Sequence, residues 1–147
     1  MGRMLPWLVV LSGCAAPLLV SNRVVETRGR VRVVLREPAD EVSGNRATQL
    51  FEFDVVNEDQ RPLIIDRDAV LLKCGEIERA RIEGGIARTY VVPPGQMHAL
   101  NVEFHLPERE ECRSFLISFN RVFAHNGEPV HVAPMSFVPY PSNVAAR

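Results

Sequence analysis

The sequence predicts an all-β domain, a single antiparallel sandwich of seven or eight strands. Three observations carry this. Apolar and polar residues alternate along most of the chain after Arg28, which is the period of a strand with one buried face. Turn-forming residues punctuate the alternating runs at regular spacing. No stretch repeats its apolar residues at the helical period.

The elements follow in order. Residues 15–27 read as a short tether holding a candidate first strand at 18–25. RVRVVLR (30–36) sets Val31, Val33 and Leu35 on one face and Arg30, Arg32 and Arg36 on the other. TQLFEFDVVN (48–57) sets Phe51, Phe53 and Val55 against Glu52 and Asp54. PLIIDRDAVLLKC (62–74) holds two apolar runs broken at Asp66-Arg67-Asp68, which is one bent strand or two short ones. ARTYVV (87–92), HALNVEFHL (98–106), RSFLISFNRVF (113–123) and PVHVAPMSFV (129–138) complete the set.

The breakers between them are specific. Asn57-Glu58-Asp59-Gln60 and Gly84-Gly85 read as turns, the latter as a hairpin. Pro94-Gly95 suits a type II turn. Asn126-Gly127 suits a type I′ hairpin, where both central residues need positive φ. Short strands in this rhythm predict an immunoglobulin-like architecture. Trp7 lies at the N-terminus, so the Cys-Trp-Cys signature of antibody domains is absent.

Length and composition agree. A chain of 147 residues, 46% hydrophobic and 24% charged, is one domain with a real core. The formal net charge is −1, and −2 once Arg3 is removed (16 basic against 18 acidic residues). Such a chain lacks the field of a general nucleic-acid binder. Lys73 is the only lysine; every other basic residue is arginine.

MGRM supplies a positive charge, LPWLVVLSG an apolar stretch too short to span a bilayer, and Cys14 follows at once. Leu11-Ser12-Gly13-Cys14 resembles the lipobox of bacterial lipoproteins. The resemblance implies cleavage before Cys14, diacylglycerol on its sulfur and acylation of the new amino terminus. Ala15 after the cysteine implies the outer membrane. The spacing of apolar strand, Asn, polar turn, Pro and apolar strand over residues 48–123 also resembles small immunoglobulin-like domains of bacterial envelope lipoproteins. The expected organisation is therefore a signal peptide at 1–13, a lipidated cysteine and tether at 14–27, a sandwich at 28–140 and a tail at 141–147.

With Cys14 lipidated, Cys74 and Cys112 remain. In an oxidising periplasm two mature cysteines tend to pair, and each lies at the edge of a strand. The alternative is two separate buried thiols.

His98, His105, His125 and His131, with Met97 and Met135, raise periplasmic copper binding, since imidazole and thioether suit copper. Spacing argues against it. His98 and His105 differ by an odd number on one strand, and a hairpin at Asn126-Gly127 sets His125 opposite Glu128 and His131 opposite Val122. The four read as scattered surface histidines. The acidic stretches Asn57-Glu58-Asp59 and Asp66-Arg67-Asp68 lack the residue order of an EF-hand. No GxSxG, phosphate loop or zinc ligand set occurs, so the expectation is a non-enzymatic protein without a cofactor.

Arg28, Arg30, Arg32 and Arg36 form a ladder that alternation places on one side of one strand. It is a candidate surface for an anionic partner, or it is neutralised by Glu52 and Asp54 from the next strand. The reading as a whole is a lipid-anchored envelope protein, facing the periplasm from the outer membrane. It acts as a binding or structural module or as a subunit of an envelope complex. The membrane and an envelope protein are its expected partners; the alternative is a periplasmic copper-binding protein.

Overall fold

The computed structural model describes residues 18–20, 22–36, 48–84, 87–108 and 111–139. The expected leader and Cys14 lie outside the described residues. Among the described residues the chain is all-β, with thirteen strands and one turn of 3-10 helix at Arg67–Ala69. The strands are β1 (Leu18–Val20), β2 (Val24–Thr27), β3 (Val31–Leu35), β4 (Thr48–Asn57), β5 (Leu63–Asp66), β6 (Leu71–Cys74) and β7 (Ile77–Ala80). They continue with β8 (Thr89–Val92), β9 (Met97–His105), β10 (Phe115–Ser118), β11 (Phe123–His125), β12 (Glu128–Val130) and β13 (Met135–Pro139).

One layer is the sheet β2-β3-β4-β9. The facing layer is built from two shorter sheets, β12-β11-β5-β8 and β1-β13-β10-β6-β7. Their strands are consecutive halves of the same passes: β5 and β6 flank the 3-10 turn, and β10–β11 and β12–β13 are broken in step with them. Merging the halves leaves eight passes, at 18–27, 31–35, 48–57, 63–74, 77–92, 97–105, 115–125 and 128–139. All pairings are antiparallel. The first pass divides between the layers, β2 in one and β1 in the other; the second, third and sixth passes complete one layer and the eighth, seventh, fourth and fifth the other. This is the order of an immunoglobulin-like sandwich.

Alternation explains the core. Val31, Val33 and Leu35 of β3 and Phe51, Phe53 and Val55 of β4 face inward and are buried. They meet inward residues of the other layer. The ring of Phe51 lies 5.2 Å from that of Phe137 and 6.0 Å from that of Phe115, and Phe53 lies 5.2 Å from Phe119. Each such aromatic contributes roughly 1.5–3 kcal/mol by burial.

Two devices finish the sandwich. The Cys74–Cys112 disulfide, with Cα atoms 6.1 Å apart, ties the end of β6 to the segment entering β10. Arg67 points inward from the 3-10 turn and crosses to the other layer. Its Nε and Nη2 donate to the Asn101 carbonyl on edge strand β9 at 2.8 and 2.6 Å. The Ile82 amide donates to the Glu103 carbonyl on the same strand at 2.7 Å. These three bonds cover an edge that would otherwise offer free backbone groups.

The candidate first strand at 18–25 is present, as β1 and β2, and both are hydrogen-bonded into sheets. Two sequence expectations change. Arg28 and Arg30 do not lie on a strand; they sit in the turn joining β2 to β3, closed by a 2.9 Å bond from the Arg30 amide to the Thr27 carbonyl. Gly29 between them has φ +69°, a conformation glycine adopts freely. Gly84 does not close a hairpin. β7 pairs with β6 and β8 with β5, so the two follow one another along the same pass. The expected turn at Asn126-Gly127 is present, with φ +48° and +78°.

Candidate functional site

Four connections gather at one end of the sandwich: the β2–β3 turn (28–30), the β4–β5 loop (58–62), the β8–β9 turn (93–96) and the β11–β12 turn (126–127). They are bonded into one unit, chiefly by two buried polar residues.

Asn57, the last residue of β4, is fully buried. Its Nδ2 donates to the Arg61 carbonyl at 2.8 Å and to the Val92 carbonyl at 2.9 Å, and its Oδ1 accepts from the Asp59 amide at 3.1 Å. Its backbone accepts from Gly95 at 2.8 Å and donates to Gln96 at 2.9 Å. The neighbouring Glu58 amide donates to the Arg30 carbonyl at 2.9 Å, and Arg32 pairs with the Glu58 carboxylate at 3.1 Å. Three of the four connections are thus held by residues 57 and 58.

His125 holds the fourth. It is 0% exposed. Nδ1 lies 3.0 Å from the Pro62 carbonyl, and because a carbonyl only accepts, Nδ1 carries the proton. Nε2 faces the Asp59 carboxylate at 3.6 Å. Asp59 is gripped in turn by Arg61, whose Nε and Nη2 donate to Oδ1 and Oδ2 at 3.2 and 3.1 Å. The Arg61 amide adds a bond to Oδ1 at 3.0 Å. These bonds, side chain first, hold the Asp59 carboxyl well below the usual carboxylate range, against the opposing effect of burial. Arg61 also reaches Glu128 across the β11–β12 turn at 3.3 Å. Its own value is raised by hydrogen bonding to Asp59, then to Glu128. Chemically, the arrangement is a pre-organised surface of turns whose side chains are held by buried bonds.

The arginine ladder is divided. Arg36 pairs with Asp54 at 2.6 Å, across the β3–β4 ladder as expected. Arg32 is exposed and pairs with Glu58 rather than with Glu52 or Asp54. Arg28 is exposed and Arg30 half-buried, both in the turn. Among the described residues neither has a carboxylate within ion-pair distance.

The histidines are not all on the surface. His125 is buried, and half-buried His98 packs its ring 4.4 Å from that of Tyr90. His105 and His131 are exposed, Met97 is 55% exposed and Met135 is buried. The structure does not bring these six together, and among the described residues no three His, Cys, Asp or Glu side chains are grouped to hold a metal. The carboxylates of the two acidic stretches are taken by arginine: Asp59 by Arg61, Asp66 by Arg88 and Asp68 by Arg81 and Arg88.

Sequence reasoning missed Asn57 and His125 as organisers. A signal existed for His125. It shares the parity of Phe123, so alternation turns it inward. No protein-family model, no curated protein and no solved structure matches the chain.

Proposed function

We propose that this chain is a lipid-anchored protein of the bacterial envelope, whose sandwich serves as a non-enzymatic binding or structural module. The carrying observation is the sequence Leu11-Ser12-Gly13-Cys14 set a few residues before the first strand. The Cys74–Cys112 disulfide supports the same reading, because such bonds persist in oxidising compartments. The outer membrane, facing the periplasm, is the proposed location. The cluster of four connections, with Arg28 and Arg30 left without carboxylate partners among the described residues, is the proposed partner-binding end.

The anchor is tested by Cys14→Ser. The variant should accumulate unprocessed or move to the soluble fraction, and it should lose acyl label. A variant that matures and fractionates like the wild type removes the anchor. Crosslinking in intact cells, read by mass spectrometry, tests the binding role. Envelope proteins linked to residues 28–30 or 58–62 are the expected product.

A further inference from the structure

We infer that the sandwich meets the lipid headgroups with the end opposite the four connections, and that the shortness of its tether enforces this. The inference rests on the lipid anchor proposed above.

The two ends are defined by register. β1 begins at Leu18, opposite Pro139 where β13 ends. β10 begins at the same end, with Phe115 opposite Phe137, and β6 finishes there. Phe51 near the start of β4 packs on both Phe115 and Phe137, so β4 starts at this end as well. β4 then runs ten residues to Asn57 among the four connections. At about 3.4 Å per residue its length is about 31 Å.

Cys14 precedes Leu18 by four residues. Fully extended, four residues reach about 14 Å at most. The tether is therefore less than half the length of the domain. With Cys14 acylated in the bilayer, the Leu18 end is held near the headgroups. Inverting the domain, with the four connections on the bilayer in place of the Leu18 end, would raise Leu18 by about 31 Å, beyond the reach of the anchor.

Charge does not do this work. Among the described residues, the exposed ones of the anchored end are mixed in sign: Glu76, Glu108, Glu111 and Arg113, with Arg36 paired to Asp54. Covalent reach rather than attraction to anionic lipid sets the orientation. With the Leu18 end on the headgroups and the long axis upright, Arg28 and Arg30 stand several Debye lengths above the bilayer, since that length is about 8–10 Å in physiological salt. The anionic groups available to them belong to something other than the membrane that carries the protein.

The test uses the lipidated full-length protein in vesicles of phosphatidylethanolamine and phosphatidylglycerol containing a headgroup-nitroxide lipid. Trp7 is the chain's single tryptophan and leaves with the leader, so one introduced tryptophan reports alone. Glu76→Trp, in the exposed β6–β7 turn, should be quenched several-fold more than Gln96→Trp at the other end. Arg113→Trp and Gln60→Trp, also exposed, form a second pair should either of the first fail to fold. Raising the salt should leave the difference unchanged. A 20-residue Gly/Ser insertion after Pro17 should abolish it, because such a linker spans roughly 25 Å. Equal quenching at the two ends, stronger quenching at Gln96→Trp, or a difference that survives the insertion overturns the orientation alone. Protein that does not float with the vesicles overturns the orientation and the anchor together.

Discussion

Nε2 of His125 lies 3.6 Å from a carboxylate oxygen of Asp59, in a ring that solvent does not reach. The ring's other nitrogen is committed to the Pro62 carbonyl. One imidazole therefore joins the β11–β12 hairpin to the β4–β5 loop. Replacing it with phenylalanine keeps the volume and removes the donor. His125→Phe should lower unfolding stability by about 1–3 kcal/mol, the cost of an unsatisfied buried acceptor. Urea denaturation measures it, and a change within about 0.5 kcal/mol would count against the bridge.

The Asp59–Arg61 pair predicts an acid limb. A carboxyl held below its unfolded value contributes stability above that value, and the contribution is lost as pH falls through the folded one. The ordinary value is 3.8, and Arg61 holds Asp59 well below it. Between about pH 5 and pH 2 the thermal midpoint of the wild type should therefore fall more steeply than that of Asp59→Asn. Parallel curves would show that this carboxylate is not coupled to folding.

The disulfide closes a separation of 38 residues. In the chain-entropy model a loop of this size stabilises by about 3–4 kcal/mol. The double variant Cys74→Ser, Cys112→Ser should lose stability of that order, and reductant should then have no further effect. A reductant-sensitive midpoint in the double variant would mean that the thiol chemistry lies elsewhere.

The paired arginines predict a small effect. Arg32 and Arg36 are exposed and bridge to Glu58 and Asp54. Exposed pairs contribute tenths of a kcal/mol to about 1 each. Arg32→Gln with Arg36→Gln should stay inside that range, and the loss should shrink in high salt. A larger, salt-independent loss would show that the side chains pack rather than pair.

Much of the fold was legible because strands such as β3 and β4 bury one face. Val31, Val33 and Leu35, and Phe51, Phe53 and Val55, are inward as their alternation requires. The β2–β3 turn was not legible, and the reason is parity. Three residues, 28–30, separate the two strands, so the inward positions Val25, Val31 and Val33 keep one odd-numbered phase through the turn. A period without a break reads as one strand. The candidate site was hidden for a different reason. The inward position of His125 could be read, but its meeting with Pro62, 63 residues earlier, could not. The bond from Asn57 to Val92 likewise spans 35 residues. Local pattern shows which way a polar side chain points; the topology decides what waits there.

The pairing of β1 with β13 sets a timetable for the chain's birth. Leu18 meets Pro139, so the first described strand of the chain waits for the last. A polypeptide that emerges amino end first exposes β1 long before its partner exists. Native contacts this distant in sequence form slowly, and until β13 arrives one side of β10 also has no neighbour. The sheet closes only after nearly all of the described chain is available. Any factor that meets the chain during its synthesis therefore meets it unfolded, with the aromatic interior of β4 and β10 still in need of cover.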